Sequence, residues 1–530
     1  MAPPQNWSAL TLLLPFFTTL ISIILITAIV VRVISSSIRR TRPVQPAATA
    51  PPPPGPPKLP VIGNIHQLIR HPLVHRRLRD LAQRHGPHVM GLRLGEVLHV
   101  VISSAEAARE VMKTHDLVFA TRPHILMAEI VMYGVRDVAL APYGDHWRQL
   151  RKICVMELLS ARRVQSFRPV REAEVSRLVA GVSSAAAASA GVNVNLAVAS
   201  ATSGLTFKTA FGMAKELTEE TFSGLVGDVS DALSGFRISE VFPSLTFLPA
   251  LTGFRAQLTR LHHAADALLE EILCEHKDRR RRQGGGGGAV DGRQPEDLVD
   301  ILLDLQEEGD QESLTDEAIK AVVLDMFVGG TETTTTAVEW TMSEMMKNPS
   351  IMKKAQEEVR RLSRGKAIVE EESLDELKYL EAVIQESLRL HPPLPLLIPR
   401  ESLEAVEVGG YEIPAITKVI VNAWAIARDF RYWTEPEKFN PDRFLDNDSA
   451  NDRRLNFEFI PFGAGRRNCP GMFFAMALVK LVLANLIYRF DWKLPVGTTP
   501  ESLDMDEHFG LGVRRKHNLC LIPVEYTTRR

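Results

Sequence analysis

The sequence predicts a mainly α-helical chain with small β-sheets, preceded by a single N-terminal transmembrane helix. Three observations predict it. Ala9 to Val31 is an uncharged run of 23 residues, 15 of them Leu, Ile, Val or Phe. Downstream, most segments carry apolar residues at steps of three and four, as at Leu377, Leu380, Ile384 and Leu388, which is the spacing of one helix face. Strand-like stretches such as VLHVVIS and KVIVNAWAI are short and in the minority.

As a helix, the first run is about 34 Å long, enough to cross a hydrocarbon core of roughly 30 Å. Its 15 large apolar residues favour insertion by a gross ~4–9 kcal/mol. A cleaved signal peptide is the alternative, with Ala48-Thr49-Ala50 as an A-x-A site, but that site lies well beyond the apolar run, which is longer than an ordinary signal core. Arg32, Arg39, Arg40 and Arg42 follow the span, so the positive-inside rule predicts a single pass with the rest of the chain cytosolic. Residues 32–60 are read as a basic and proline-rich linker, and residues 61–530 as the catalytic domain. Within the linker, PPPPGPPKLP (Pro51 to Pro60) excludes helix and predicts an extended, stiff spacer. Asp278 to Gln294, with four adjacent arginines and a run of five glycines, predicts a solvated surface loop. The alanine–serine run Ser183 to Ala190 predicts a loop or frayed helix end.

The 530 residues are 45% hydrophobic with a net charge of −2. That balance fits a globular enzyme and gives no field that would gather nucleic acid. The four cysteines, Cys154, Cys274, Cys469 and Cys520, show neither zinc spacing nor a C-x-x-C pair, so a reducing compartment is expected. Cys469 stands apart. It separates the arginine-rich glycine loop FIPFGAGRRN from a nearly unbroken apolar run. Pro470 suits a first helical turn, and a thiolate ahead of a helix start is stabilised by free N–H groups. Gly463, Gly465 and Gly471 permit close approach of something flat. On these residues alone three readings stay open: a buried structural thiol, a cysteine nucleophile, and an axial thiolate on haem iron.

The stretch PFGAGRRNCPG resembles the haem-binding signature of the cytochrome P450 family, F-x-x-G-x-R-x-C-x-G, filled by Phe462, Gly465, Arg467, Cys469 and Gly471. ESLR is similar to the family's E-x-x-R pair, as Glu386 and Arg389. FNPDRF resembles the motif whose Arg443 joins that pair, with Asp442 where glutamate is usual. WRQLR resembles the helix whose Trp147 and Arg151 contact the haem propionates. GGTETT resembles the oxygen-activation motif, with Gly329 where alanine is common and Glu332 where many relatives have Asp. The motifs fall in family order, and PPGPPKLP, HPPLPLLIPRES and FGLGVRRK resemble plant microsomal members of specialised metabolism.

The resemblance implies the cytochrome P450 fold and haem b as cofactor. Cys469 would be the axial ligand of the iron. Arg467, Trp147, Arg151 and Arg400 would bind the propionates, with Phe462 and Gly471 beside the ring. Glu332 and Thr333 would be the acid–alcohol pair that delivers protons. It also implies O2 as co-substrate, a separate NADPH–cytochrome P450 reductase, the endoplasmic reticulum membrane and its lipid, and no nucleic-acid partner. The chain itself has no flavin or nicotinamide fingerprint. Residues Ile125 to Tyr133, Met326, Phe327, Leu394 to Ile398 and Phe509 to Leu511 would line the substrate pocket, with Glu129 its one charge and Tyr133 its polar handle. That lining predicts a small apolar substrate of terpenoid type, with a phenylpropanoid or indole-type aromatic as the alternative. A haem-thiolate isomerase or dehydratase, or a non-enzymatic haem-binding membrane protein, are the other readings; the intact Glu332–Thr333 pair argues against the isomerase or dehydratase.

Overall fold

The computed structural model describes residues 50–526, except 70, 213–215, 234–236, 283–296, 309–313, 446–454 and 511, together with Thr27. Apart from Thr27, the expected span at 9–31 lies outside the described residues, as do the arginines after it and the glycine run 284–288. In chain order the elements that matter for the site are α1 (Val74–His85), β1 (Val89–Leu94), β2 (Val97–Ile102), α2 (Asp145–Ile153), α3 (Arg168–Ala187), β3 (Val192–Asn193), α4 (Val194–Phe211), α5 (Glu216–Leu233), α6 (Phe254–Arg282), α7 (Leu298–Glu307), α8 (Asp316–Lys347), α9 (Pro349–Leu362), α10 (Lys378–Leu390), β4 (Arg400–Glu401), β5 (Lys418–Val421), α11 (Met472–Arg489), β6 (Phe490–Lys493) and β7 (Cys520–Glu525). Helix dominates, as the periodicity predicts.

The largest sheet has the order β1-β2-β5-β4. β2 and β5 run parallel, with His99 opposite Lys418 and Ile102 opposite Val421, and the other pairs are antiparallel. KVIVNAWAI is only half a strand. β5 stops at Val421 because the Asn422 side chain accepts from the Ala425 N–H at 3.0 Å and caps a helical turn, Ala423–Ile426, the usual work of Asn at an N-cap. A smaller sheet, β3-β7-β6, closes the C-terminal end of the chain.

Three further expectations change. The alanine–serine run is mostly helix: α3 continues to Ala187, because alanine has the highest helix propensity. Asp278 to Arg282 is likewise the end of α6, not loop. There Arg280 lies 3.2 Å from Glu307, and Arg279 lies 3.9 Å from both Asp297 and Asp300. The proline stretch is extended as expected, but it also docks. Pro54 accepts from the Gly91 N–H at 2.8 Å, Pro51 from Glu412 at 2.9 Å, and the Asn64 amide reaches Pro56 and Pro57.

The largest core gathers α3, α4, α8, α9, α10 and α11. Helix α11 is apolar and long enough to cross a membrane by length and composition, yet half of it is buried and Leu478 to Ile487 lie inside this core. Helix α8, about 48 Å long at 1.5 Å per residue, runs through two of the cores. Thr315 caps it by accepting from the Ala318 N–H at 3.2 Å.

At the C-terminal end of α10 the Glu386–Arg389 pair is fully buried. Arg389 donates to both carboxylate oxygens of Glu386, at 2.7 and 2.8 Å, and to the carbonyls of Ala427, Pro436 and Lys438. Arg443 adds a contact to Glu386 at 3.3 Å, and the Asn440 N–H another at 2.8 Å. Asp442 takes no part; it faces outward to Lys354 at 2.9 Å. The Glu386 network thus ties α10 to the segment 427–443. Glu386→Gln is expected to destabilise the fold by about 3–5 kcal/mol, because it strands a buried guanidinium, whereas Lys354→Ala at the exposed Asp442 contact should stay within about 0.5 kcal/mol. Denaturant unfolding of the two variants checks this; equal losses would contradict it.

Candidate active site

Cys469 sits between a tight loop and the start of α11. Its N–H donates to the Phe462 carbonyl at 2.9 Å, closing the loop. Gly465 has φ +70°, and a Cβ there would overlap the Met112 carbonyl and the Asp116 carboxylate, so glycine is required. Gly471 has open space where a Cβ would be, and Cys469, Phe462, Gly463 and Gly471 all line one cavity. The expected stabilisation of the thiolate by the helix start is only part of the balance. Burial pushes the Cys469 thiol up, and the Gly471 N–H and the Arg151 charge oppose that without overcoming it. A coordinated metal cation reverses this, since a thiol bound to it is deprotonated outright.

Four guanidiniums line the same cavity: Arg122, Arg151, Arg400 and Arg467. Arg467 donates to the carbonyls of Ala120 at 2.6 Å, Val138 at 3.2 Å and Ala141 at 2.5 Å, with its Cζ 4.0 Å from the centre of the Trp147 ring. Trp147 commits its own N–H to the Val138 carbonyl at 3.0 Å, so its ring, not its N–H, serves the arginine. Arg400 pairs with Asp116 at 3.2 Å and donates to the Ala464 carbonyl at 2.7 Å. Arg151 donates to Asn468, one residue before Cys469. Arg122 donates to the carbonyls of Ala139, Ile398 and Pro399. No motif in the sequence marks Arg122; only the return of 398–399 beside it makes it part of the site.

These cations are short of countercharge. Burial first, then the Arg400 charge, pulls Arg467 down to about 9. Burial and then Arg467 and Arg400 pull Arg122 well down, and burial lowers Arg400 and Arg151. Asp116 and Asp137 offset part of this. A cavity edge of this kind calls for an anionic group.

The rest of the wall is largely apolar. Val322, Asp325, Met326, Gly329, Gly330, Thr333 and Thr334 present one face of α8 to it, joined by Leu298, Leu394, Leu397, Ile398 and Phe474. Thr333 donates from Oγ1 to the Gly329 carbonyl at 2.7 Å; Glu332 is half-buried and is not part of the wall. Of the expected pocket residues, Met326, Leu394, Leu397 and Ile398 are in the wall. Phe327 instead stacks on Phe211 at 5.3 Å inside the core, and Phe509 stacks on His75 at 5.9 Å. Leu396 packs beside that second group. Tyr133 donates to Asp266 at 3.0 Å, and Glu129 pairs with the exposed His124 at 2.9 Å, so neither faces the cavity. Leu511 lies outside the described residues. The sequence reading also missed Asp325, a lone carboxyl on the cavity face of α8. The cavity's volume is about 280 Å³, near the low end of the 300–1,000 Å³ usual for a small-ligand site.

Comparison with known proteins accords with this geometry. The family model described as Cytochrome P450 matches residues 53–521. Desmethyl-deoxy-podophyllotoxin synthase of Sinopodophyllum hexandrum is 50% identical over 471 residues, covering 89% of this chain and 91% of the relative. Salviol synthase of Salvia pomifera is 46% identical, covering 89% and 91%. Premnaspirodiene oxygenase of Hyoscyamus muticus is 47% identical, covering 90% and 93%. With cavity, charge and kinship in agreement, the chain belongs to the cytochrome P450 family, monooxygenases that hold haem b through a cysteine thiolate.

Proposed function

We propose that this protein is a membrane-anchored monooxygenase of plant specialised metabolism in which Cys469 is the thiolate ligand of the haem. The observation that carries the reading is the single cavity shared by Cys469, four guanidiniums, three of them buried, and the Thr333 face of α8. The thiolate-ligated haem supplies O2 activation and insertion of one oxygen atom into the substrate. Arg122, Arg151, Arg400 and Arg467 hold its propionates by charge-assisted hydrogen bonds. Phe462 walls the ring, and Gly471 leaves space beside it. Thr333 orders a water through the free lone pairs of Oγ1 and passes protons inward; Glu332 serves as proton source from outside the wall. Electrons come from NADPH through a separate reductase, which accords with the lack of a nucleotide fingerprint in the chain. The uncharged run 9–31 anchors the chain in the endoplasmic reticulum membrane, with the catalytic domain in the cytosol.

The substrate is a small apolar metabolite, with a terpenoid preferred over a phenylpropanoid or indole-type aromatic. Leu298, Val322, Met326, Leu394, Leu397 and Ile398 reward apolar burial at roughly 25 cal/mol per Å² and give few orienting hydrogen bonds. The relatives' names fit an oxygenase of this kind, one of them being named for oxygenation of a diene. The names of two others, salviol synthase and tabersonine 16-hydroxylase 2, point to different compounds at 46–47% identity, so kinship of this degree does not select the substrate.

Membranes carrying the protein and an added reductase, offered a metabolite panel read by mass, should oxidise terpenoids or apolar aromatics with matched NADPH and O2 consumption. Turnover confined to charged polar metabolites would reject the substrate class, and product formation without O2 would favour an isomerase. Fractionating a chain that lacks residues 1–42 tests the anchor, which predicts release of much of the protein with its haem spectrum intact. Cys469→Ser should abolish the red-shifted carbon monoxide spectrum of thiolate-ligated haem, while Cys154, Cys274 and Cys520 variants keep it; a retained spectrum in Cys469→Ser would remove the central assignment. Thr333→Ala should keep haem and substrate binding but divert most NADPH to peroxide or water. Tightly coupled turnover in that variant would assign Thr333 a structural role alone.

A further inference from the structure

Residues 137–141 are a junction. The Val138 carbonyl accepts from both Trp147 and Arg467, the Ala141 carbonyl from Arg467, and the Ala139 carbonyl from Arg122. What holds this segment from its other side is Asp325 on α8, whose Oδ2 accepts from the N–H groups of Val138 at 2.6 Å and Ala139 at 3.0 Å. Asp137, fully buried, accepts from the Leu140 N–H through its own Oδ2 at 2.8 Å, and its Oδ1 is buried with no donor in reach. The two carboxyls thus close on one turn, Asp137 on the Leu140 N–H and Asp325 on the Val138 and Ala139 N–H groups, and the Asp137 carboxyl raises that of Asp325. Two carboxylates so placed cannot both ionise away from water. A single proton between them satisfies the orphaned Asp137 oxygen and removes the repulsion.

We propose that Asp137 and Asp325 share one proton, and that this bridged pair is the positioning element that holds residues 137–141, and through them Trp147, Arg122 and Arg467, at the haem edge. The proposal rests on the haem reading above for what those residues contact. The groups that face the pair are Arg122 and Arg467, whose charges favour ionised Asp137, and the thiol of Cys154, which burial and the Asp325 charge push up to about 12. The Arg151 charge opposes that rise. Burial raises both carboxyls above their ordinary range, and the Asp137 charge raises Asp325 further. The sign follows from this. The folded pair binds a proton that the unfolded chain has already released, so its contribution is whole below the ordinary carboxyl value of about 4 and is lost as pH rises from there through the raised folded values.

The test is haem release from the purified holoprotein in detergent, followed by transfer to excess apomyoglobin across neutral to alkaline pH. Wild type should release haem roughly tenfold faster at the alkaline end, the change that one pKa unit of differential binding gives. Asp325→Asn keeps an acceptor for the Val138 and Ala139 N–H groups and supplies a permanent donor to Asp137, so its release should be slow and independent of pH. Asp325→Ala should release haem fast at every pH while its initial carbon monoxide spectrum stays that of thiolate ligation. A pH dependence in Asp325→Asn equal to wild type overturns the proposal. If that variant does not fold, the infrared spectrum of wild type decides: a protonated-carboxyl band at neutral pH that Asp137→Asn removes supports the shared proton, and the lack of such a band overturns it. A wild type that takes up no haem would instead refute the haem reading itself.

Discussion

The rest of the site depends on the burial of three guanidiniums, Arg122, Arg400 and Arg467, with the half-buried Arg151 beside them on one cavity. Such groups resist desolvation strongly, and their mutual repulsion adds to the demand for an anion. The chain answers in part by donating backbone carbonyls: those of Ala120, Val138 and Ala141 to Arg467, and those of Ala139, Ile398 and Pro399 to Arg122. Carbonyls satisfy the N–H groups without neutralising the charge. The remaining demand is for an anion, and an anion bound there would couple to the ordering of the loops that supply those carbonyls.

A second set of buried charges does different work. Glu386, Arg389 and Arg443 satisfy one another and the carbonyls of Ala427, Pro436 and Lys438, and none of the three borders the cavity. They hold the segment that precedes the cysteine loop against α10. The contrast between a self-neutralised network and an under-neutralised one separates scaffold from receptor on physical grounds. Both use arginine, whose planar fork suits several acceptors at once.

Helix α8 reconciles two requirements. Its core-facing residues, including the fully buried Val338, Met342 and Met345, anchor it in the main core. Its cavity face carries glycines and threonines that lower helix propensity. Thr333 and Thr335 turn their hydroxyls back to the carbonyls four residues earlier, a bond that tends to bend helices. Long burial on one face sustains that weak stretch on the other, so the polar, flexible turn sits where a reaction needs a hydroxyl and space.

Sequence by itself marked Cys469, the helix class, the E-x-x-R scaffold and six further residues of the cavity wall, Trp147, Arg151, Arg400, Phe462, Arg467 and Gly471, because each rests on local pattern: a loop of glycines and arginines around Cys469, a step of three on α10, WRQLR on one turn of helix, HPPLPLLIPRES around Arg400. It also determined that KVIV is strand, but not that Asn422 would end it, since a cap competes with a strand only once the next turn has a place to pack. Tertiary structure alone decided the rest. Arg122, Asp137 and Asp325 carry no motif, and they matter because segments far apart in sequence converge on residues 137–141. The expected pocket residues Phe327, Leu396, Phe509 and Tyr133 face neighbours instead of the cavity, because a helix or loop offers its apolar side chains to whichever surface reaches it first. Periodicity tells that a face is buried; only the packing of other elements against it tells whether that face meets protein or cofactor.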